Sequence, residues 1–365
     1  APLPSFAAEL RLPFRHRLEN PHVIDAERQV WCGVVGKGVT GQTLNSSFQN
    51  RESTTYKLEL GRTIANFARV VPGGLLVFFP SYPALESAVT AWKAAPGAAS
   101  SSSYSSSFSA SSGSSCGGGF GGSSAPAASG SVWKSLENAK PIVIEPKQAS
   151  ELKQVLADFT ERVRANPTKG CMMLAVCRGK VSEGLDFSDG KARAVVVTGI
   201  PYAPAKDPKV MLKREQMDKQ SKACAVFHSE RKKAIKKQRA LEHPALQGLG
   251  NGGDDENNND DEEQKLLSGG DWYSQQALRA VNQALGRVIR HKHDWGAILL
   301  CDERFASNHH KGCLSSWLRP HVQTFGSSPS EKQQQQQWQQ QNWNSNRTSS
   351  NTGIPDNNSN NSSSS

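Results

Sequence analysis

The sequence predicts an α/β fold, a mostly parallel β-sheet covered by helices, carrying biased insertions and a biased tail. Three observations predict it. Short β-branched apolar runs of strand length recur along the chain, several bounded by Gly or Pro. Amphipathic stretches with apolar residues three and four apart lie between them. The runs are continuously apolar rather than alternating, the pattern of strands buried on both faces, which parallel sheets with helical crossovers produce.

In chain order the predicted strands are VWCGVV (30–35), LLVFF (75–79), PIVIE (141–145), CMMLAVC (171–177), ARAVVVTG (192–199) and GAILLC (296–301). The predicted helices are 61–70, 83–94, 148–165 and 272–291. In an open sheet of this kind the ligand site is expected at the carboxyl ends of the strands.

Composition assigns the rest. The 365 residues are 36 % hydrophobic, against about 45–50 % apolar residues in an ordinary globular chain. Two stretches carry most of that deficit: residues 96–131 hold 16 Ser and 8 Gly, and 326–365 are rich in Gln, Asn and Ser. A third biased segment, 219–268, is charge-split between the basic RKKAIKKQR (231–239) and the acidic DDENNNDDEE (254–263). The basic run reads either as a solvated helix or as a nuclear-import or nucleic-acid patch. The expected organisation is therefore one domain over 1–325, interrupted at 96–131 and 219–268, followed by a tail over 326–365.

No apolar run approaches the roughly 18 residues that suggest a membrane span, and no signal-peptide pattern opens the chain, so a soluble, intracellular protein without a membrane partner is expected. Seven cysteines without a CxxC pair argue against a disulfide scaffold and a zinc ribbon. Cys301, His309, His310 and Cys313 match no common zinc spacing, so no metal site is expected. The net charge of +10 suits a nucleic-acid partner.

Three segments carry candidate chemistry. In NQALGRVIRH (282–291), at 100° per residue, Gln283, Arg287 and Arg290 fall within a sector of roughly 60° opposite Val281, Leu285, Val288 and Ile289. Gly286 costs a helix about 1 kcal/mol relative to Ala, which suggests a close approach beside Arg287. Guanidinium aimed at a γ-phosphate stabilises phosphoryl transfer; the plainer reading is a surface helix with solvated arginines. AVCRGKVSEGLDFSD (175–189) follows a strand and offers Arg178, Lys180, Ser182, Glu183 and Asp186 in a loop made tight by Gly179 and Gly184. GGLLVFFPSYPALES (73–87) turns through Ser81 and Tyr82 into a helix whose first amides suit a phosphate, or Ser81 is simply a cap.

Together these segments resemble the second RecA-like motor domain of superfamily 2 helicases, in the iron-sulfur DNA helicase group that includes the xeroderma pigmentosum group D and Fanconi J proteins. FFPSY is similar to motif IV, GKVSEGLDF to motif V and QALGRVIR to motif VI. LENPHVI (18–24), DWYSQQALRAVNQALGRVIRH and LSSWLRPHV (314–322) resemble the telomere-regulating branch of that group. The resemblance implies an ATP-dependent 5′–3′ DNA helicase of the nucleus, acting in DNA repair and telomere maintenance. It implies that Gln283, Gly286, Gly184 and Asp186 approach ATP, that Arg290 is the arginine finger with Arg287 beside it, and that Ser81, Tyr82, Arg178 and Ser182 face single-stranded DNA.

The family's other requirements are expected elsewhere. The Walker A loop, the Mg²⁺-holding DEAH box and the four cysteines of the 4Fe–4S cluster belong to the first motor domain, the partner expected in cis. GKGVTGQT (36–43) has Gln42 where a phosphate loop needs Lys and reads as a hairpin; CDERF (301–305) reads as a strand end. APLPSFAAEL resembles the tail of motif III, so the chain is expected to begin where the first motor domain ends, and to be inactive alone. The competing expectation is a non-enzymatic half-motor that binds DNA or a partner.

Overall fold

A computed structural model describes residues 16, 18, 22–94, 131–182, 185–242 and 266–325, with backbone alone at 228 and 235–242. The opening decapeptide, the Ser/Gly stretch up to residue 130, Glu183, Gly184, the acidic run 254–263 and the tail lie outside the described residues. The strands are β1 (Val30–Val35), β2 (Gly74–Phe79), β3 (Ile142–Ile144), β4 (Cys171–Val176), β5 (Ala194–Val197), β6 (Gly296–Leu300) and β7 (Val322–Phe325). They form one sheet in the order β3-β4-β2-β5-β6-β1-β7, every pairing parallel. All six predicted strands are present within two residues; only β7, whose VQTF is too short and polar to read as an apolar run, was not expected.

The helices are α1 (Ala26–Gln29), α2 (Thr54–Val70), α3 (Tyr82–Lys93), α4 (Val132–Ala139), α5 (Ala149–Ala165), α6 (Pro208–Glu242), α7 (Gly269–Leu285) and α8 (Asn308–Gly312). Because both faces of a parallel sheet must be covered, the core has two layers. On one face α2, α3 and α4 bring Leu60, Ile64, Leu85, Trp92 and Leu136 against Leu75, Val77, Leu174 and Val196. On the other, α5 and α7 bring Phe159, Val163, Leu278 and Val281 against Leu76, Phe78, Met173, Val195 and Ile298. Cys32, Cys177 and Cys301 lie in these layers, and burial pushes each thiol up to about 12, leaving them unreactive packing groups.

Two helices depart from the expectation. The predicted 272–291 helix stops at Leu285. Gly286 caps it, the Arg287 and Val288 amides reach back only three residues to Ala284 and Leu285, and the Arg290 amide donates to Asp294 Oδ2 at 3.1 Å instead of to the helix. A glycine cap plus a competing carboxylate ends the helix that periodicity alone would extend. At 219, where a hydrophilic insertion was expected to begin, α6 runs straight through the boundary.

One buried cation ties the amino edge of the sheet. Lys140, fully buried after α4, donates from Nζ to the carbonyls of Gly73 (3.0 Å) and Lys169. Burial lowers its ammonium to about 8. The folded chain therefore holds fewer protons than the unfolded chain between about pH 8 and the ordinary lysine value, and stability rises with pH through that window. Urea midpoints at pH 8 and 10 should show the rise in the parent and its loss in Lys140→Met; equal slopes would refute it.

Candidate functional site

The carboxyl edge is organised around an acid that sequence reasoning passed over. Glu145, just beyond β3, is 3 % exposed. Its carboxylate accepts from the Val176 amide at 2.8 Å and the Val181 amide at 3.1 Å, clamping both ends of the turn after β4. Gly179 is obligatory there, since a Cβ would stand 2.7–2.8 Å from both carboxylate oxygens. Glu145→Gln puts an amide NH₂ against one of those N–H donors, so it should cost about 1–3 kcal/mol. Urea denaturation checks this, and an unchanged midpoint would exclude the clamp.

The residues expected to face DNA gather at this edge. Ser81 caps α3, its Oγ accepting from the Ala84 amide at 3.4 Å. Tyr82 opens the helix partly buried, and burial followed by the nearby Glu145 carboxylate raises its phenol. Arg178, at φ 61°, donates to the Gln276 carbonyl on α7 at 2.9 Å, and Lys180 to the Lys147 carbonyl at 2.6 Å. Ser182 is fully buried with its hydroxyl on the Gly179 carbonyl at 2.8 Å. It therefore shapes the turn from within and presents no surface. The other four lie on or near the surface.

The residues expected to face ATP lie elsewhere. The segment after β4 crosses the molecule, because Lys191 at its far end packs against Gly74 at the amino end of β2. Arg287 Nη1 and Arg290 Nη2 both donate to the Leu185 carbonyl, at 2.7 and 2.6 Å. Arg290 also stands 3.5 Å from the exposed Asp186 carboxylate, and Arg287 Nε donates to the Gln283 carbonyl at 3.3 Å. Gln283 is exposed on the last turn of α7. Gly286 is exposed with φ −64°, and a Cβ there would meet nothing nearer than 3.5 Å, so nothing in this chain itself demands glycine. Gly184 lies outside the described residues.

Asp294 anchors this second cluster. Fully buried, it pairs with Arg193 at 2.8 Å and accepts from the amides of Arg290 and Trp295. Arg193 immediately precedes β5 and Asp294 nearly precedes β6, so the arginines sit towards the amino edge of the sheet. The expected single site at the carboxyl ends is thus divided, with the loop after β4 joining two edges. Asp189, His291 and Asp294 bring ligand atoms within 4.8 Å of one another. Arg193 and two amides already engage Asp294, and His291 engages Asp189 at 3.0 Å, so these groups act as anchors.

The remaining motifs are structural. GKGVTGQT is a hairpin closed by a Lys37–Thr43 bridge, with Thr40 donating to the buried Glu59. In CDERF, fully buried Asp302 caps the turn after β6, chelates Arg304 and accepts from the Ser46 hydroxyl at 2.7 Å. Cys301 is packed in the core, while His310 is bonded to Tyr202 and Ser307. Glu145, Asp294 and Asp302 share one sequence signal, an acid within two residues of an apolar strand run, which on its own does not distinguish a buried anchor from an exposed loop end.

The chain belongs to the helicase C-terminal domain family, whose model matches residues 64–321. Among curated proteins it is 43 % identical over 325 residues to the regulator of telomere elongation helicase 1 homolog of Arabidopsis thaliana, covering 89 % of this chain and 25 % of that protein. Regulator of telomere elongation helicase 1 of Bos taurus is 40 % identical (90 % of this chain, 21 % of that one), and that of Homo sapiens 38 % (89 % and 21 %). The chain spans about a quarter of the length of these relatives. A solved structure described as an XPD helicase aligns with TM-score 0.40 and 18 % identity, over 81 % of this chain and 35 % of that one.

Proposed function

We propose that this chain is the second motor half of an ATP-dependent DNA helicase, supplying motifs IV, V and VI. The observation that carries the proposal is the convergence of Arg287 and Arg290 on one carbonyl of the motif V loop. Two guanidinium groups sharing a single acceptor retain unsatisfied N–H donors, a ready supply for a phosphate brought to the same place by another domain. ATP would lie between this face and the first motor domain, which would hold Mg²⁺ and the 4Fe–4S cluster. On closure, Arg290 would exchange the Leu185 carbonyl for the γ-phosphate with Arg287 beside it, while Gln283 and Asp186 line the approach.

Single-stranded DNA would run along the opposite edge past Ser81, Tyr82 and Arg178. The loop from 177 to 193 touches both edges, so displacement of Leu185 by nucleotide would be felt at the turn that Glu145 clamps. Translocation 5′ to 3′, a nuclear location and a role in telomere maintenance and DNA repair follow from likeness to the telomere-regulating helicases. The test is ATP turnover by Arg290→Ala in a polypeptide that joins this domain to its first motor domain, with DNA affinity measured alongside. Near-normal DNA-stimulated hydrolysis would overturn the assignment.

A further inference from the structure

The positive charge of this chain is concentrated on one element. α6 carries eleven Lys and Arg against four Asp and Glu, a net +7 out of the chain's +10. Its first half is fixed to the body. Met217 is buried, Asp218 accepts from the Gly269 amide at 2.8 Å, Ser221 donates to the Leu266 carbonyl at 3.1 Å, and the Arg214 guanidinium lies 5.0 Å from the Tyr273 ring centroid. These contacts bind it to the start of α7, the helix that leads into Arg287.

Beyond Ser221 the described side chains are exposed, apart from the partly covered Cys224. At 1.5 Å per residue the last 21 residues form an arm roughly 30 Å long, with Lys222, Arg231, Lys232 and Lys233 exposed on its described part. A helix polar nearly all round gains little from packing, so this arm has no role in the core. Its self-repelling charge would be relieved by a polyanion.

We propose that this arm is a nucleic-acid-binding element that grips the phosphate backbone of the strand or duplex engaged by the motor. The proposal rests on the DNA-motor reading for the identity of the polyanion. Its occupant is chosen by charge complementarity: duplex DNA presents about one negative charge per 1.7 Å, so a basic arm of this length can face many phosphates at once. Being tied to α7, the arm would move with motif VI and couple its hold on the backbone to the nucleotide face.

The experiment measures affinity for a single-stranded oligonucleotide and for a duplex, without nucleotide, across a range of salt. It compares the full chain with a Lys222→Gln/Arg231→Gln/Lys233→Gln variant. These exposed positions lie beyond the anchored half, and circular dichroism verifies that the variant is folded. Losing three phosphate contacts should reduce the slope of log affinity against log salt by about 2 on single strands and about 2.7 on duplex. The larger reduction identifies which form the arm holds. An unchanged slope and affinity would overturn the proposal. So would an unchanged slope together with a peptide of residues 254–263 that binds the parent and not the variant, which assigns the arm to the chain's own acidic run. Failure of the motor reading appears in the Arg290→Ala turnover assay, so the two readings can fail separately.

Discussion

Arg290→Ala, introduced where this domain is joined to its first motor half, is expected to lower ATP turnover by about 10³–10⁵ while DNA affinity changes little. The size follows from the contribution of an arginine finger, whose charge and planar fork meet the charge developing on the transferred phosphoryl group. Selectivity follows from the architecture. Arg290 lies with Asp294 and Arg193 towards the amino edge of the sheet, whereas Ser81, Tyr82 and Arg178 stand at the carboxyl edge. Arg290→Lys keeps the charge but loses the fork, so only partial recovery is expected. Single-turnover hydrolysis and oligonucleotide binding, measured on the same preparations, read the two edges independently. Equal losses in both would mean that the face is not divided as described.

Asp294→Ala is expected to destabilise the fold by about 3–5 kcal/mol, the range for removing one partner from a buried ion pair. Arg193 would be left 15 % exposed without its carboxylate, and the amides of Arg290 and Trp295 would lose their acceptor. Urea or thermal unfolding should register the loss. A milder substitution, Asp294→Asn, retains an acceptor and should fall between the two. Because Asp294 holds the backbone at Arg290, the Asn variant should also lose turnover in the joined motor out of proportion to its stability. A variant that is destabilised yet fully active would restrict Asp294 to the fold alone.

Much of the fold was legible because it rests on burial. VWCGVV, CMMLAVC and ARAVVVTG are apolar without alternation, and only strands covered on both faces satisfy that pattern. The end of α7 was misread for an equally physical reason. Periodicity continued through Val288 and Ile289, which are indeed buried, but they reach the core from a turn and not from a helix. The arginines were therefore grouped correctly by a helical wheel that does not describe their backbone. Gln283 to Arg290 converge because Gly286 stops the helix and Asp294 captures the following chain.

Sequence by itself determined which residues pack into the sheet and which motifs place arginine and glycine at loop ends, because hydrophobic periodicity and backbone permissiveness are local properties. Tertiary structure decided what each polar group does. Ser182 proved to be an interior bond of its own turn, Glu145 the clamp on that turn, and Asp294 the anchor of Arg290. It also showed seven net charges gathered on one projecting helix. A buried carboxylate and a solvated one have the same neighbours in sequence; only the partners brought from distant segments, and the water they exclude, tell them apart.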